Sequence, residues 1–155
     1  MLSENIKEEL IFMDLDVQTR EEVFHILGGK LTELNYTKEG FVPALKEREK
    51  VFPTGLDVNG IGVAIPHTDQ THVNATALAL AVLKNPVEFH QMASNIEDHQ
   101  MVPVKFVIML AVSGANYMDF LQNAILLIQD QEVLKRIVNA KTKEEIMHIV
   151  KEKEN

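Results

Sequence analysis

"GIGVAIPHTD" (residues 60–69) places a histidine directly after an apolar run and a proline, and a carboxylate two residues later. The run at 61–65 predicts a short buried strand, and Pro66 restricts the backbone φ angle just before His67. In α/β proteins, loops at the ends of such strands commonly carry functional side chains, because the sheet holds them rigidly. His67 is therefore the first candidate for chemistry, and an ordinary loop histidine is the alternative.

On both sides of this stretch, apolar runs alternate with amphipathic helical patterns. The runs predict strands at 9–17, in the first part of 75–89 before a turn, and at 102–112. The helical patterns predict helices at 18–36, at 37–52, within 113–129, at 132–140 and at 142–153, with a loop at 53–60 and a polar connection at 91–100. This alternation predicts a single-domain α/β/α sandwich over residues 1–155, in which helices cover both faces of a mixed β-sheet.

The first two helices carry more specific expectations. Gly28 and Gly29 weaken the interior of the first, so either a neighbouring element packs closely there or the helix is marginal. In the second helix, Phe41, Leu45 and Phe52 are expected to face the core.

Composition excludes several classes of protein. The chain has no cysteine, so it contains neither a disulfide nor a thiolate nucleophile. Its formal net charge of −8 would be repelled by phosphate backbones, which makes nucleic acid an unsuitable partner. No apolar run reaches the roughly 20 residues of a membrane span, and the start of the chain lacks the pattern of a secretory signal. We therefore expect a cytoplasmic protein.

Several kinds of chemistry at His67 can be compared. No G-x-S-x-G elbow, P-loop or glycine-rich dinucleotide turn is present, which argues against serine hydrolysis and nucleotide-dependent reactions. His67, Asp69 and His72 form an H-x-D-x-x-H string, and the first two could share a metal ion on an extended segment. No further ligand is comparably placed, so metal hydrolysis stays an alternative, and we expect no metal and no cofactor.

A covalent phosphoryl carrier is the third possibility. A neutral imidazole is a good nucleophile near neutral pH. Such a site needs one ring nitrogen exposed, the other held by an acceptor, and donors around the phosphoryl oxygens. Arg48, Thr54 and backbone N–H groups near His67 could be those donors.

The sequence surroundings of the remaining histidines favour a catalytic role less than those of His67 do. His25 and His148 lie in amphipathic helices and are expected to be structural or exposed. His72 is expected at the surface, and His90 and His99, in the polar connection, are expected to be solvated.

The segment LKEREKVFPTGLDVNGIGVAIPHTD (45–69) resembles the signature of enzyme IIA domains of the mannitol/fructose type, from the bacterial phosphoenolpyruvate-dependent sugar phosphotransferase system. The shared pattern is a helix ending in Arg-Glu, a Ser/Thr-Gly turn, and then Gly-Val-Ala-Ile-Pro-His. Within that family the segment is most similar to galactitol-type IIA components, because Thr68-Asp69 follow the histidine where fructose and nitrogen-regulatory members usually carry glycine.

The resemblance implies that His67 accepts a phosphoryl group from the histidine-containing phosphocarrier protein. His67 would pass it to a cysteine of a IIB component, which serves the membrane IIC component. Arg48 would neutralise phosphoryl charge, and Thr54 would hold the loop or the oxygens. Tyr117, in NYMDFLQ (116–122), stands where mannitol-type members usually carry a second active-site histidine.

Two other functions stay open at this point. A regulatory, nitrogen-type IIA protein would keep the fold but act by phosphorylation-dependent binding of partners, without feeding a transporter. A metal hydrolase would use His67 and Asp69.

Overall fold

A five-stranded mixed sheet forms the centre of the computed structural model, which describes residues 2–155. Its strands are β1 (Ile6–Leu15), β2 (Gly55–Val58), β3 (Ile61–Ala64), β4 (Ala77–His90) and β5 (Met101–Ala111). They lie in the order β1-β4-β5-β3-β2. β1 is parallel to β4 and β3 to β5, whereas the β2–β3 and β4–β5 pairs are antiparallel.

Helices cover both faces of this sheet. They are α1 (Arg20–Val23), α2 (Gly29–Glu33), α3 (Phe41–Val51), α4 (Tyr117–Gln129), α5 (Gln131–Val138) and α6 (Lys143–Glu154). Buried apolar side chains form one cluster with α1–α3 and another with α4–α6. Within β4, Ala77 and Ala79 belong to the first cluster and Leu78 and Leu80 to the second, as expected when successive side chains point to opposite faces. The predicted α/β/α sandwich is confirmed.

The segment predicted as a loop at 53–60 contains a strand. β2 pairs with β3 from Gly55↔Ala64 to Val58↔Ile61, and residues 59 and 60 make the turn. Asn59 and Gly60 both have positive φ, 50° and 93°, which is the backbone that an Asn-Gly hairpin turn requires. The Asn59-Gly60 dipeptide could have indicated this hairpin. It was overlooked because β2 is short and partly polar, so its sequence has no clear strand pattern.

The turn predicted within 75–89 was also wrong, because β4 continues to His90. Its pairing with β5 jumps from Val82↔Phe106 to Val87↔Val104, and Pro86 falls inside this irregular stretch. A bulge absorbs the proline, which cannot donate to a regular ladder, so the strand continues beyond it.

The first predicted helix is divided into three. A π-helical segment, Phe24–Gly28, separates α1 from α2. A Cβ atom on Gly28 would lie 2.8 Å from Val42 Cγ2 in α3. A neighbouring element therefore packs closely against this glycine, which is one of the two alternatives stated for this helix. A Cβ atom on Gly29, in contrast, would have no such neighbour within 4 Å. No helix among residues 2–155 has both the length and the apolar character needed to cross a membrane.

The two glycines make a matched pair of stability predictions. Gly28 and Gly29 both have helical backbone angles, so alanine fits either backbone. Gly29→Ala should raise the free energy of unfolding by roughly 0.5–1 kcal/mol, because alanine loses less conformational entropy on folding. Gly28→Ala should lower it, because the new methyl group meets Val42 and Leu45. Urea unfolding checks both, and equal effects of the two substitutions would contradict the packing described here.

Candidate active site

His67 lies just beyond the end of β3, where the backbone is fixed against β5. Ile65 is buried, and the Leu110 N–H donates to the carbonyl of Pro66 at 3.0 Å. His67 forms an isolated parallel β-bridge with Leu110. The strand-end placement predicted from the sequence is therefore found, and the imidazole itself is half-buried.

One nitrogen of the His67 ring is held by the backbone. Nδ1 lies 2.8 Å from the carbonyl oxygen of Ile65. Because a carbonyl oxygen can only accept, this contact assigns the proton to Nδ1 and leaves the lone pair on Nε2. The ring is thus held in the tautomer in which Nε2 is the nucleophilic atom.

The electrostatic environment keeps this ring neutral. Burial lowers the pKa of His67 because it disfavours the charged imidazolium, and the Arg48 charge acts in the same direction. The bond to the Ile65 carbonyl opposes them without reversing the shift. A neutral imidazole at pH 7 is available as a nucleophile.

Arg48 lies in the last turn of α3 and is half-buried. Its Cζ stands 5.1 Å from the centroid of the Phe52 ring, a cation–π contact. Its Nε is buried and has no hydrogen-bond partner among the described residues. A buried donor without a partner is costly in a folded protein, and an oxyanion brought beside it would satisfy it.

Thr54 is buried and faces α3. Its N–H donates to Glu49 Oε2 at 2.7 Å, and its hydroxyl donates to the same carboxylate at 3.0 and 3.1 Å. Of the two roles expected for Thr54, holding the loop is the one that these bonds perform.

Glu49, the second residue of the Arg-Glu pair in the segment 45–69, was not predicted as a site residue. It is only 5% exposed, and burial raises its pKa to about 7, while the bonds from Thr54 and the charges of Arg20 and Arg48 oppose that rise. Phe41, Leu45 and Glu49 recur at four-residue spacing, which would have placed Glu49 on the buried face. Phe52, expected to face the core, is 60% exposed, because α3 ends at Val51.

Tyr117 begins α4 and stands beside His67. The two rings meet edge to face with centroids 6.4 Å apart. The Tyr117 hydroxyl donates to the backbone carbonyl of Thr68 at 2.8 Å, so its single proton is used on the loop that follows His67. Burial raises the pKa of Tyr117, which keeps the phenol neutral.

The residues named in the metal hypothesis do not form a set of ligands in the described part of the chain. One carboxylate oxygen of Asp69 accepts from the N–H of Thr71 and caps the short 3₁₀ turn Gln70–His72. Within residues 2–155, no group of three or more histidine or acidic side chains is placed to hold an ion.

The other histidines are distributed mostly as expected. His25, His99 and His148 are exposed, and His72 is half-buried. The expectation that His90 is solvated was wrong. It is the last residue of β4, is 7% exposed, and has a buried Nδ1 without a partner in the described part of the chain.

Exposed apolar side chains lie on or next to the helices that carry Arg48 and Tyr117. Val51, Phe52 and Met118 are each at least 60% exposed. Val51 ends α3, the helix that carries Arg48, Phe52 contacts Arg48, and Met118 follows Tyr117 in α4. These three exposed side chains are here called the apolar rim. Large apolar side chains exposed around a reactive group indicate a surface for protein partners.

Comparison with known proteins gives consistent results. The family described as "Phosphoenolpyruvate-dependent sugar phosphotransferase system, EIIA 2" matches residues 4–153. The mannitol-specific phosphotransferase enzyme IIA component of Staphylococcus aureus is 28% identical over 152 residues, which is 97% of this chain and 98% of that protein.

Two solved structures from Escherichia coli share the fold. The solution structure of the mannitol-specific cryptic enzyme IIA CmtB has a TM-score of 0.77 at 21% identity, with 97% of this chain and 98% of that chain covered. The enzyme IIAMTL in complex with phosphorylated enzyme IIBMTL has a TM-score of 0.76 at 20% identity, with 95% and 99% covered. At such identities the likeness shows the fold alone.

The family match covers nearly the whole chain, and the strand-end histidine lies within it. The protein belongs to the EIIA 2 family of the phosphoenolpyruvate-dependent sugar phosphotransferase system.

Proposed function

We propose that residues 1–155 form one IIA domain that carries a phosphoryl group on Nε2 of His67. The group comes from the histidine-containing phosphocarrier protein and goes to a cysteine of a IIB component, which serves a membrane IIC component. Proteins of this family are phosphotransferases with a phosphohistidine intermediate. The observation that carries the assignment to this atom is the 2.8 Å contact between Nδ1 and the Ile65 carbonyl.

Two displacements at phosphorus make up the cycle. In the first, the Nε2 lone pair of His67 attacks the donor's phosphohistidine, the donor's N–P bond breaks, and its ring nitrogen takes the electron pair. In the second, a IIB thiolate attacks the phosphorus and His67 recovers the pair of the broken Nε2–P bond. The proton stays on Nδ1 throughout, where it donates to the Ile65 carbonyl. Neither step needs a cofactor.

Arg48 is the residue we assign to the phosphoryl oxygens. Its charge is felt at His67, and its Nε has no partner in residues 2–155. Preorganised donors of this kind stabilise charge that develops in the transition state. Tyr117 and Thr54 then act on the position of the loops, through the Thr68 carbonyl and the Glu49 carboxylate.

The partner surface we propose is the apolar rim of Val51, Phe52 and Met118. A single histidine that receives from one protein and gives to another must present the same face to both in turn. The solved complex of the E. coli IIAMTL with phosphorylated IIBMTL supports a IIB partner for this chain. These exchanges occur in the cytoplasm, where we expect this chain.

The transported compound is proposed to be a polyol. Thr68-Asp69 after the histidine favours the galactitol type, whereas the Staphylococcus aureus relative is named mannitol-specific. Both names denote polyols, and the same loop disfavours a nitrogen-regulatory role. Phosphoryl transfer from the labelled protein to purified galactitol-type and mannitol-type IIB domains discriminates between the two.

His67→Ala should accept no phosphoryl group from the phosphocarrier, because the substitution removes the nucleophilic Nε2 atom. Intact-mass measurement after incubation with phosphoenolpyruvate, enzyme I and the phosphocarrier checks this. His72→Ala is the matched control and should be labelled as the wild type is. Labelling of His67→Ala at the wild-type rate would contradict the assignment of His67 as the phosphoryl acceptor.

Arg48→Ala should slow phosphoryl transfer by roughly 10–1000-fold, the range for loss of a charge-stabilising donor. Arg48→Lys should recover only part of the rate, because an ammonium group lacks the planar fork of a guanidinium. Rapid-quench kinetics with labelled phosphocarrier measure both. Wild-type rates in the two variants would place Arg48 outside the reaction.

Tyr117→Phe should slow transfer by no more than roughly tenfold. The substitution removes one neutral hydrogen bond to the Thr68 carbonyl, worth about 0.5–1.5 kcal/mol. The same kinetic measurement applies. A loss of several hundredfold would show that the phenol acts on the reacting group itself.

A further inference from the structure

Glu49 is a buried acid that the transfer steps above do not use. Its carboxylate accepts from the N–H of Thr54 at 2.7 Å and from the Thr54 hydroxyl at 3.0 and 3.1 Å. These bonds, here called the Glu49–Thr54 contact, join the last turn of α3 to the residue just before β2. They close the segment 49–54 at the end of the helix.

The closed segment contains Phe52, the residue whose ring contacts Arg48. Phe52 lies between Glu49 and Thr54, and its ring stands 5.1 Å from Arg48 Cζ. The Phe52 N–H also donates to the Arg48 carbonyl at 2.7 Å. Phe52 is 60% exposed, so packing with the core does not hold its ring in place. The backbone that carries it is held by the Glu49–Thr54 contact.

Burial of this carboxylate is costly, so a role other than packing is needed to explain it. An unpaired buried charge destabilises a fold, and no ion pair of Glu49 is found among residues 2–155. Glutamine would present a similar shape without a charge. What ionised glutamate adds is strength, because hydrogen bonds to a carboxylate are roughly twice as strong as neutral ones.

We propose that Glu49 is a positioning residue for phosphoryl transfer: by holding Thr54, its carboxylate fixes the loop on which Phe52 supports Arg48 beside His67. This inference rests on the proposed function. It predicts that Glu49 acts through Arg48 and has no separate effect on the reaction.

The ionisation of Glu49 gives this role a pH signature. Burial raises its pKa to about 7, against the opposing Thr54 bonds and the charges of Arg20 and Arg48. The other charged or titratable groups around the neighbouring open pocket are Glu21 from α1, Lys46, Glu47 and Lys50 from α3, and His90 from β4. The pKa of His90 is lowered, chiefly by burial, so this ring is neutral near pH 7. The carboxylate therefore ionises as the pH rises through neutrality, and the Glu49–Thr54 contact strengthens.

The test compares wild type and Glu49→Gln in the rate of phosphoryl acceptance from the phosphocarrier. At about pH 8 the variant should be roughly tenfold slower, because it loses charge-assisted bonds. At about pH 6 the two rates should converge, since a protonated carboxyl resembles the amide. Taking the ratio of the two rates removes the titration of His67 and of the donor. Glu47→Gln, an exposed neighbour on the same helix, is the control and should match wild type at both pH values.

A double-mutant cycle separates positioning from general stability. In the Arg48→Ala background, Glu49→Gln should cause no further slowing, because the residue through which it acts is gone. If Glu49→Gln fails to fold, judged by its thermal unfolding, Thr54→Val removes the hydroxyl donor instead. That variant should also be slower at about pH 8, and it too should lose its effect in the Arg48→Ala background.

The outcomes are distinct. If wild type takes up no phosphoryl group, the proposed function fails, whatever the variants do. If wild type is labelled but the folded variant has the wild-type rate at about pH 8, the inference about Glu49 is overturned. It is equally overturned if the slowing is the same at both pH values or persists in the Arg48→Ala background.

Discussion

The hydrogen bond from His67 Nδ1 to the Ile65 carbonyl is the interaction on which the rest of the site depends. The bond joins two residues of the same short segment, so its geometry is fixed only if the backbone from Ile65 to His67 is rigid. The rigidity comes from the sheet: Ile65 is buried, and the next carbonyl, of Pro66, accepts from Leu110 of β5. The whole sandwich thus fixes which ring nitrogen carries the lone pair.

Two opposite electrostatic demands meet at this histidine. The free imidazole has to be neutral to attack phosphorus, yet the group it would carry is an anion that needs positive charge nearby. Arg48 meets both demands, because a cation disfavours a second cation on His67 and attracts an oxyanion. The guanidinium can do so because it stacks on Phe52 and leaves Nε unbonded within the described residues.

Much of this arrangement could be predicted from the sequence, and what could not has identifiable causes. The alternation of apolar runs with helical patterns and the proline before His67 are local signals, and they predicted the sandwich and the strand-end histidine. β2 was missed because a partly polar four-residue strand carries little pattern of its own. The turn predicted within 75–89 was wrong because a bulge accommodates Pro86, and this depends on the partner strand.

The contacts of the site depend on tertiary structure in the same way. Glu49 could have been placed on the buried face of α3 by its spacing, but its partner Thr54 could not. The direction of the Tyr117 hydroxyl depends on where the Thr68 carbonyl lies, which is fixed by the loop after His67. The expectation for His90 was wrong because β4 extends to this residue and buries its ring.

In this fold Nε2 of His67, with the proton held on Nδ1, is the phosphoryl acceptor that we propose. Long-range ¹H–¹⁵N correlation spectra of the imidazole groups, recorded before and after phosphorylation, test it most directly. We expect the free protein to show His67 as the Nδ1–H tautomer and the phosphorylated protein to show phosphorus bonded to Nε2. Phosphorus on Nδ1, or an Nε2–H tautomer in the free protein, would contradict the account.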